Sequence, residues 1–161
     1  MTDDYRYTLH RPVGLRPEQV LSRLCWVMLN PSTATDDVDD PTIRRVIGFT
    51  RRLGYNSLIV VNLFARRATR PAHLADPGDP VGPENDQAIA SAARTSAAII
   101  AAWGSHGADR ALAPRRAHVE ALLFQQRDRG PVFCLGYTKG GQPRHPLYLP
   151  ADTPRVRYVP A

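Results

Sequence analysis

The chain has 161 residues, 43% of them hydrophobic, and 21 Lys and Arg against 15 Asp and Glu give a formal net charge of +6. This length predicts a single domain over residues 1–161 with apolar content for an ordinary globular core. No run approaches the roughly 20 consecutive apolar residues of a membrane span, and the acidic start Met1-Thr2-Asp3-Asp4 lacks a signal-peptide pattern, so the expected setting is cytoplasmic with no membrane partner.

Taken in chain order, Tyr5 to His10 is a candidate peripheral strand. Leu24 to Leu29 is the first core strand, and it ends in Asn30-Pro31-Ser32-Thr33. Proline fixes its own φ and restricts the residue before it, so the chain turns sharply there. The loop beyond carries Asp36, Asp37, Asp39 and Asp40 without the Asp-x-Asp-x-Asp-Gly frame of a calcium loop, and no metal is expected. Asp40 as N-cap and Pro41 at the first helical position open a helix. Its apolar residues Ile43, Val46, Ile47 and Leu53 recur at helical spacing, with Arg44, Arg45, Arg51 and Arg52 on other faces and Gly54 as the stop. The second strand, Leu58 to Leu63, contains Asn62. A long loop over 65–83 leads to a second helix from about Pro83 to Ala93. The third strand, Ala97 to Ala102, runs into Trp103-Gly104. A third helix from Pro114 to Arg127 precedes the fourth strand, Val132 to Leu135. The remaining loop over 137–155 carries His145-Pro146.

The four strands are continuously apolar rather than alternating, which suits strands covered on both faces. The order β-α-β-α-β-α-β predicts an α/β domain, a three-layer α/β/α sandwich around a central, mainly parallel four-stranded sheet. Cys25 and Cys134 lie inside apolar runs and read as buried small hydrophobes. Two thiols without CxxC spacing are too few for a zinc site or an iron–sulfur cluster.

Parallel strands would gather Asn30, Asn62, Trp103-Gly104 and the His145 loop at one sheet edge, where open α/β folds bind ligands. Each motif also has a structural reading. Asn30 can close an Asx-type turn, Asn62 can tie down a loop, and His145 can be an exposed loop residue. In the functional reading, an asparagine amide offers donors and an acceptor to the edge of a base. The arginine-rich balance favours a polyanionic partner.

Together the motifs resemble those of the uracil-DNA glycosylase superfamily. Leu29-Asn30-Pro31-Ser32 is similar to its first motif, and His145-Pro146-Leu147-Tyr148-Leu149 to its second. Val60-Val61-Asn62 with Arg66 to Pro71, and Ala98 to Gly104, resemble the segments between. The longer stretches LNPSTA, DDPTIRR, VVNLFA, DPVGPEND and the HPLYL tail resemble more closely a bacterial and phage domain family of uncharacterised function. Met28 and Leu147 replace the usual glycine and serine, and no aromatic stands between Ser32 and Pro41.

The resemblance implies a DNA glycosylase-like hydrolase, active in DNA repair by base flipping. It would cleave the N-glycosidic bond of a flipped, mismatched or 5-modified pyrimidine. Asn30 would position the water and His145 would face the leaving base. Asn62, Pro31 and Ser32 would surround the base. Thr33, Arg66, Arg67, Arg70, Lys139, Arg144, Leu147 and Tyr148 would contact single- or double-stranded DNA. The enzyme would work as a monomer, with no cofactor and no metal. Two alternatives stay open: a nucleic-acid- or base-binding module without turnover, and an N-glycosidase acting on free nucleotides.

Overall fold

A computed structural model describes residues 4–31, 34–68, 70–125 and 130–160. Its elements in chain order are β1 (Leu9–Pro12), β2 (Arg23–Met28), α1 (Pro41–Arg52), β3 (Ser57–Asn62), α2 (Asn85–Thr95), β4 (Ala98–Ala101), α3 (Ala113–Phe124), β5 (Val132–Cys134) and β6 (Val156–Arg157). Short 3₁₀ turns at Pro71–Ala75 and Ser105–Ala108 lie in the intervening loops.

The strands form one six-stranded mixed sheet in the order β1-β3-β2-β4-β5-β6. The four expected strands are its inner members, and β3, β2, β4 and β5 pair in parallel. The expectation of a mainly parallel four-stranded sheet is corrected by the two edges, where β1 and β6 pair antiparallel. The strand near the N-terminus begins at Leu9, and Tyr5 makes an isolated bridge to Arg66. β6 is two exposed residues, too short for any periodicity to signal it.

Helices cover both faces of the sheet. Leu24, Trp26, Leu58, Val60 and Ile100 pack with Ile43, Val46 and Phe49 of α1. The alternate residues Cys25, Val27, Ile59, Val61 and Ile99 pack with α2 and α3. Both faces of the inner strands therefore meet helices, and this is why those runs are apolar without alternation. α1 starts where its sequence dictates: the Asp40 carboxylate accepts from the Ile43 N–H at 2.8 Å, and Pro41 occupies the first turn. It ends before Gly54, whose φ of 89° only glycine adopts readily. Burial pushes the Cys25 thiol up to about 12, leaving it a core hydrophobe rather than a nucleophile. No helix of the described residues is long and apolar enough to cross a membrane.

Trp26, fully buried between sheet and α1, donates from Nε1 to Thr50 Oγ1 at 3.0 Å, and Thr50 Oγ1 donates in turn to the Val46 carbonyl at 2.7 Å. Thr50→Val would keep the shape and orphan the indole N–H. Urea unfolding should show a loss of about 1–3 kcal/mol, and Thr50→Ser should recover most of it. An unchanged midpoint in Thr50→Val would mean that this bond adds nothing to stability.

Candidate functional site

β2 lies between β3 and β4, so the chain crosses from β2 to β3 on one side and then back past β2 to β4 on the other. In open α/β sheets the crevice beyond the carboxyl ends of such strands is the usual ligand site. Pairing continues past the strand ends here. Leu63 N–H donates to Met28 O at 2.9 Å, Phe64 N–H to Leu29 O at 3.0 Å, and Ala102 N–H to Val27 O at 2.8 Å. These bonds hold the residues after β2, β3 and β4 side by side around a cavity of about 320 Å³. Asn30, Asn62, His145 and Leu147 all line it.

Asn62 shares its face of β3 with Val60, towards α1. Its backbone is pinned from behind: Asn85 Nδ2 donates to Asn62 O at 3.0 Å, and Arg115 Nε donates to Leu63 O at 2.7 Å. Its side chain is different. The residue is 3% exposed, yet among the described residues nothing hydrogen-bonds its amide. Its amide instead faces the cavity, where a ligand with complementary donors and acceptors would take the place of water.

Asn30 has already used its donors. Its Nδ2 donates to Ala68 O at 2.6 Å and to Pro31 O at 3.0 Å, clasping the loop after β2 to the loop after β3. What Asn30 has left for a ligand or water is its Oδ1. These bonds are the local role of the turn reading, and they leave the Oδ1 without conflict with the site reading.

His145 is half-buried at the end of a loop that folds back on itself. Thr138 N–H donates to Gln142 O at 2.8 Å, and Gln142 Oε1 accepts from buried Trp103 Nε1 at 2.9 Å. Gly104 N–H donates to Pro143 O at 2.9 Å. Gly104 has a φ of 80°, and a Cβ there would meet His145 Cβ at 3.3 Å, so glycine allows the close approach of the two loops. His145 Nδ1 accepts from the Leu147 N–H at 3.1 Å. That assigns the proton of the neutral ring to Nε2. Burial lowers the His145 pKa below its ordinary value, with Asp40 opposing, so the ring is neutral near pH 7.

Two further lining residues carried no signal as site residues in the sequence. Arg6 is 8% exposed and donates from its guanidinium to Ala34 O, while its Nε is buried without a partner. Burial, then neighbouring Arg67, lowers the Arg6 pKa, with Asp40 opposing. Asp40, recognisable as a cap, also lines the cavity. Trp103 and Gly104, expected at this edge of the sheet, form part of the wall. Arg6 stands in no motif, because only tertiary packing brings it under the ends of β2 and β3.

The other expected site residues are placed elsewhere. Ser32 and Thr33 lie outside the described residues. Pro31 supplies backbone, its carbonyl accepting from Ala68 N–H at 3.1 Å. Arg66 is committed to its own loop, donating to the carbonyls of His73, Leu74, Asp76 and Pro77 at 3.0–3.1 Å. Arg144 Nε donates to Tyr137 O at 3.2 Å. Arg67, Arg70 and Lys139 are exposed and line none of the cavity. Tyr148, next to Leu147, is 92% exposed with a φ of 69°, a conformation uncommon outside glycine. Asp39 pairs with Arg11 at 2.7 Å, and among the described residues no group of three His, Cys, Asp or Glu side chains could hold a metal ion.

An open α/β sheet with a cavity at its topological switch point defines the class of molecule. The chain belongs to the family described as Protein of unknown function (DUF1643), whose model matches residues 6–147. No curated protein and no solved structure matches it. The family match overturns the assignment to the uracil-DNA glycosylase superfamily drawn from the motifs. Each motif is only a few residues at a strand end or loop. Asn-Pro and His-Pro dipeptides suit such turns in any parallel sheet, so they recur without common membership.

Nitrogen-15 shifts at pH 7 should show His145 protonated on Nε2 and bare on Nδ1. Because the folded-state pKa lies below the unfolded one, the unfolded chain takes up the proton first. The associated stability is full above about pH 6.5. It is lost as pH falls towards the folded pKa. His10 shifts in the same direction, so the relevant quantity is the difference between wild type and His145→Asn. If the two lose stability in parallel between pH 7 and 5, the imidazole is not held neutral.

Proposed function

We propose that the cavity binds a nucleobase and that the protein hydrolyses the N-glycosidic bond joining that base to its sugar. The observation that carries this reading is the amide of Asn62, without a hydrogen bond among the described residues, lining the same cavity as a neutral imidazole with Nε2–H. An amide supplies donor and acceptor together, as the hydrogen-bonding edge of a base requires. A cavity of about 320 Å³ falls at the low end of the roughly 300–1,000 Å³ of small-ligand sites.

Breaking the bond sends its electron pair onto the base and leaves positive charge on the sugar. Groups that meet those charges only as they develop accelerate the step. His145 Nε2–H donates to the oxygen on which the departing base gathers charge, and it need not release its proton to do so. The Asp40 carboxylate is the acidic group of the cavity and favours the cationic sugar. Asn30 Oδ1 accepts a hydrogen bond from the attacking water, orienting its oxygen towards the anomeric carbon. Water supplies hydroxyl to the sugar, and its proton ends on the base.

One observation favours a second reading, a base-binding module without turnover: Asn30 spends both amide hydrogens on backbone carbonyls, as a structural residue does.

The test uses oligonucleotides carrying uracil, mismatched thymine or 5-modified pyrimidines, with the corresponding free nucleosides and nucleotides in parallel. Free base is read by chromatography. Wild type should release base, and His145→Ala should lose about 10²–10³-fold in rate, the usual effect of removing one such donor. Asn62→Ala should weaken both rate and discrimination between bases. Full activity in both Asn30→Ala and His145→Ala would overturn the site. Binding without release from any substrate would favour the second reading.

A further inference from the structure

We propose that the exposed face of α1 is a binding site for the phosphate backbone of a nucleic acid strand. This deepens the base-cleavage reading by naming what carries the base, and its binding readout is separate from base release.

Gly48 sits in the middle of α1, and a Cβ built on it would meet nothing within 4 Å. Its φ is not positive, and no neighbour crowds it. Packing therefore gives no reason for glycine, and apart from proline no residue is a poorer helix former. The surroundings supply a reason. Arg44, Arg45, Arg51 and Arg52 stand at −4, −3, +3 and +4 from Gly48, the spacings that share a helix face. The helix PTIRRVIGFTRR has no acidic residue, and among the described residues none of these arginines forms a salt bridge. Gly48 is thus a gap at the centre of four cations.

The gap has a shape. Arg44, Arg45, Gly48, Phe49, Arg52 and Ala151 line a cleft of about 140 Å³. Arg45 and Arg52 lie over the Phe49 ring, with their guanidinium carbons 5.4 and 5.5 Å from its centroid. Arg52 Nη2 donates to the Thr153 carbonyl and Arg44 Nη1 to Asp39 O at 3.1 Å, and each fork keeps further N–H groups of the kind that match phosphate. Arg45 Nε is buried without a partner. Arg44 and Arg51 are exposed.

The cleft also adjoins the nucleobase cavity. Thr42 and Ile43 of α1 line that cavity, and Leu147 lines it from the other side. Four residues after Leu147, Ala151 lines the arginine cleft. α1 and the 147–151 segment therefore run together from one site to the other. Six residues of helix separate Thr42 from Gly48, about 9 Å at 1.5 Å each. That is two to three nucleotides of a strand at about 3.4 Å each. A base in the cavity would leave its neighbouring phosphates over α1.

Fluorescence anisotropy with a labelled single-stranded oligonucleotide, from 50 to 200 mM salt, tests this directly. Arg44→Ala/Arg51→Ala should bind about tenfold more weakly, and its slope of log affinity against log salt should be shallower by about 1.4. Gly48→Ala should raise the melting temperature by about 2–4 °C while weakening binding several-fold. A purely structural glycine would give the first effect without the second. Gly48→Ala with unchanged affinity, or an unchanged salt slope in the double arginine variant, would overturn the proposal. So would retention of wild type on phosphatidylserine vesicles without oligonucleotide binding. Salt-dependent binding through α1 with no base release would sink the hydrolase reading and leave this one standing. Base release from free nucleosides with no oligonucleotide binding would do the reverse.

Discussion

The pairing of β2 with β3 does not stop where the strands do. Two further backbone bonds, from Leu63 to Met28 and from Phe64 to Leu29, carry the parallel register into the loops. Everything at the cavity depends on that extension. It sets Asn30 beside the residues following β3, and it fixes Asn62 opposite Met28 on the α1 side of the sheet. A slip of one residue would turn Asn62 to the other face, into the apolar layer of α2 and α3. The backbone atoms behind Asn62 are held by Asn85 and Arg115. The register is thus secured on the helix side while the amide itself stays uncommitted.

The cavity then combines rigid and adjustable parts. Its floor is made of strand ends, and its imidazole comes from a loop braced by the Trp103–Gln142 bond and by the close approach at Gly104. Sites assembled this way keep functional groups on loops while the scaffold fixes their positions. The charges are arranged sparingly. Arg6 and Asp40 bring opposite signs to a largely apolar hollow, where electrostatic effects are stronger than in water.

Much of this was legible in the sequence because parallel strands buried on both faces leave a plain signal. The runs around Cys25, Val60, Ile99 and Phe133 could be read as strands, and Asp40-Pro41 fixed the start of α1 to the residue. The polar residues closing those runs, Asn30 and Asn62, stood out because a buried amide needs a reason. The edges were less legible. β6 is too short for periodicity, and β1 starts beyond Tyr5, whose isolated bridge is not a strand. Arg6 was invisible as a cavity residue, since its role arises from a fold-back that no local pattern encodes. The motifs overreached where they were used to assign ancestry, because a turn-compatible dipeptide at a strand end reports geometry rather than descent.

Arg66 illustrates how an exposed-looking cation can be internal machinery. One guanidinium gathers four carbonyls from residues 73–77, in a stretch whose regular structure is a single 3₁₀ turn. Such a segment has no ladder of its own along which to fray. It is fastened by this one guanidinium and by the buried Leu74 side chain. A lysine there would carry the same charge but not the planar fork, and a single ammonium could not span the same set of oxygens. The polar side of this flank of the protein therefore hangs on the valence of one side chain.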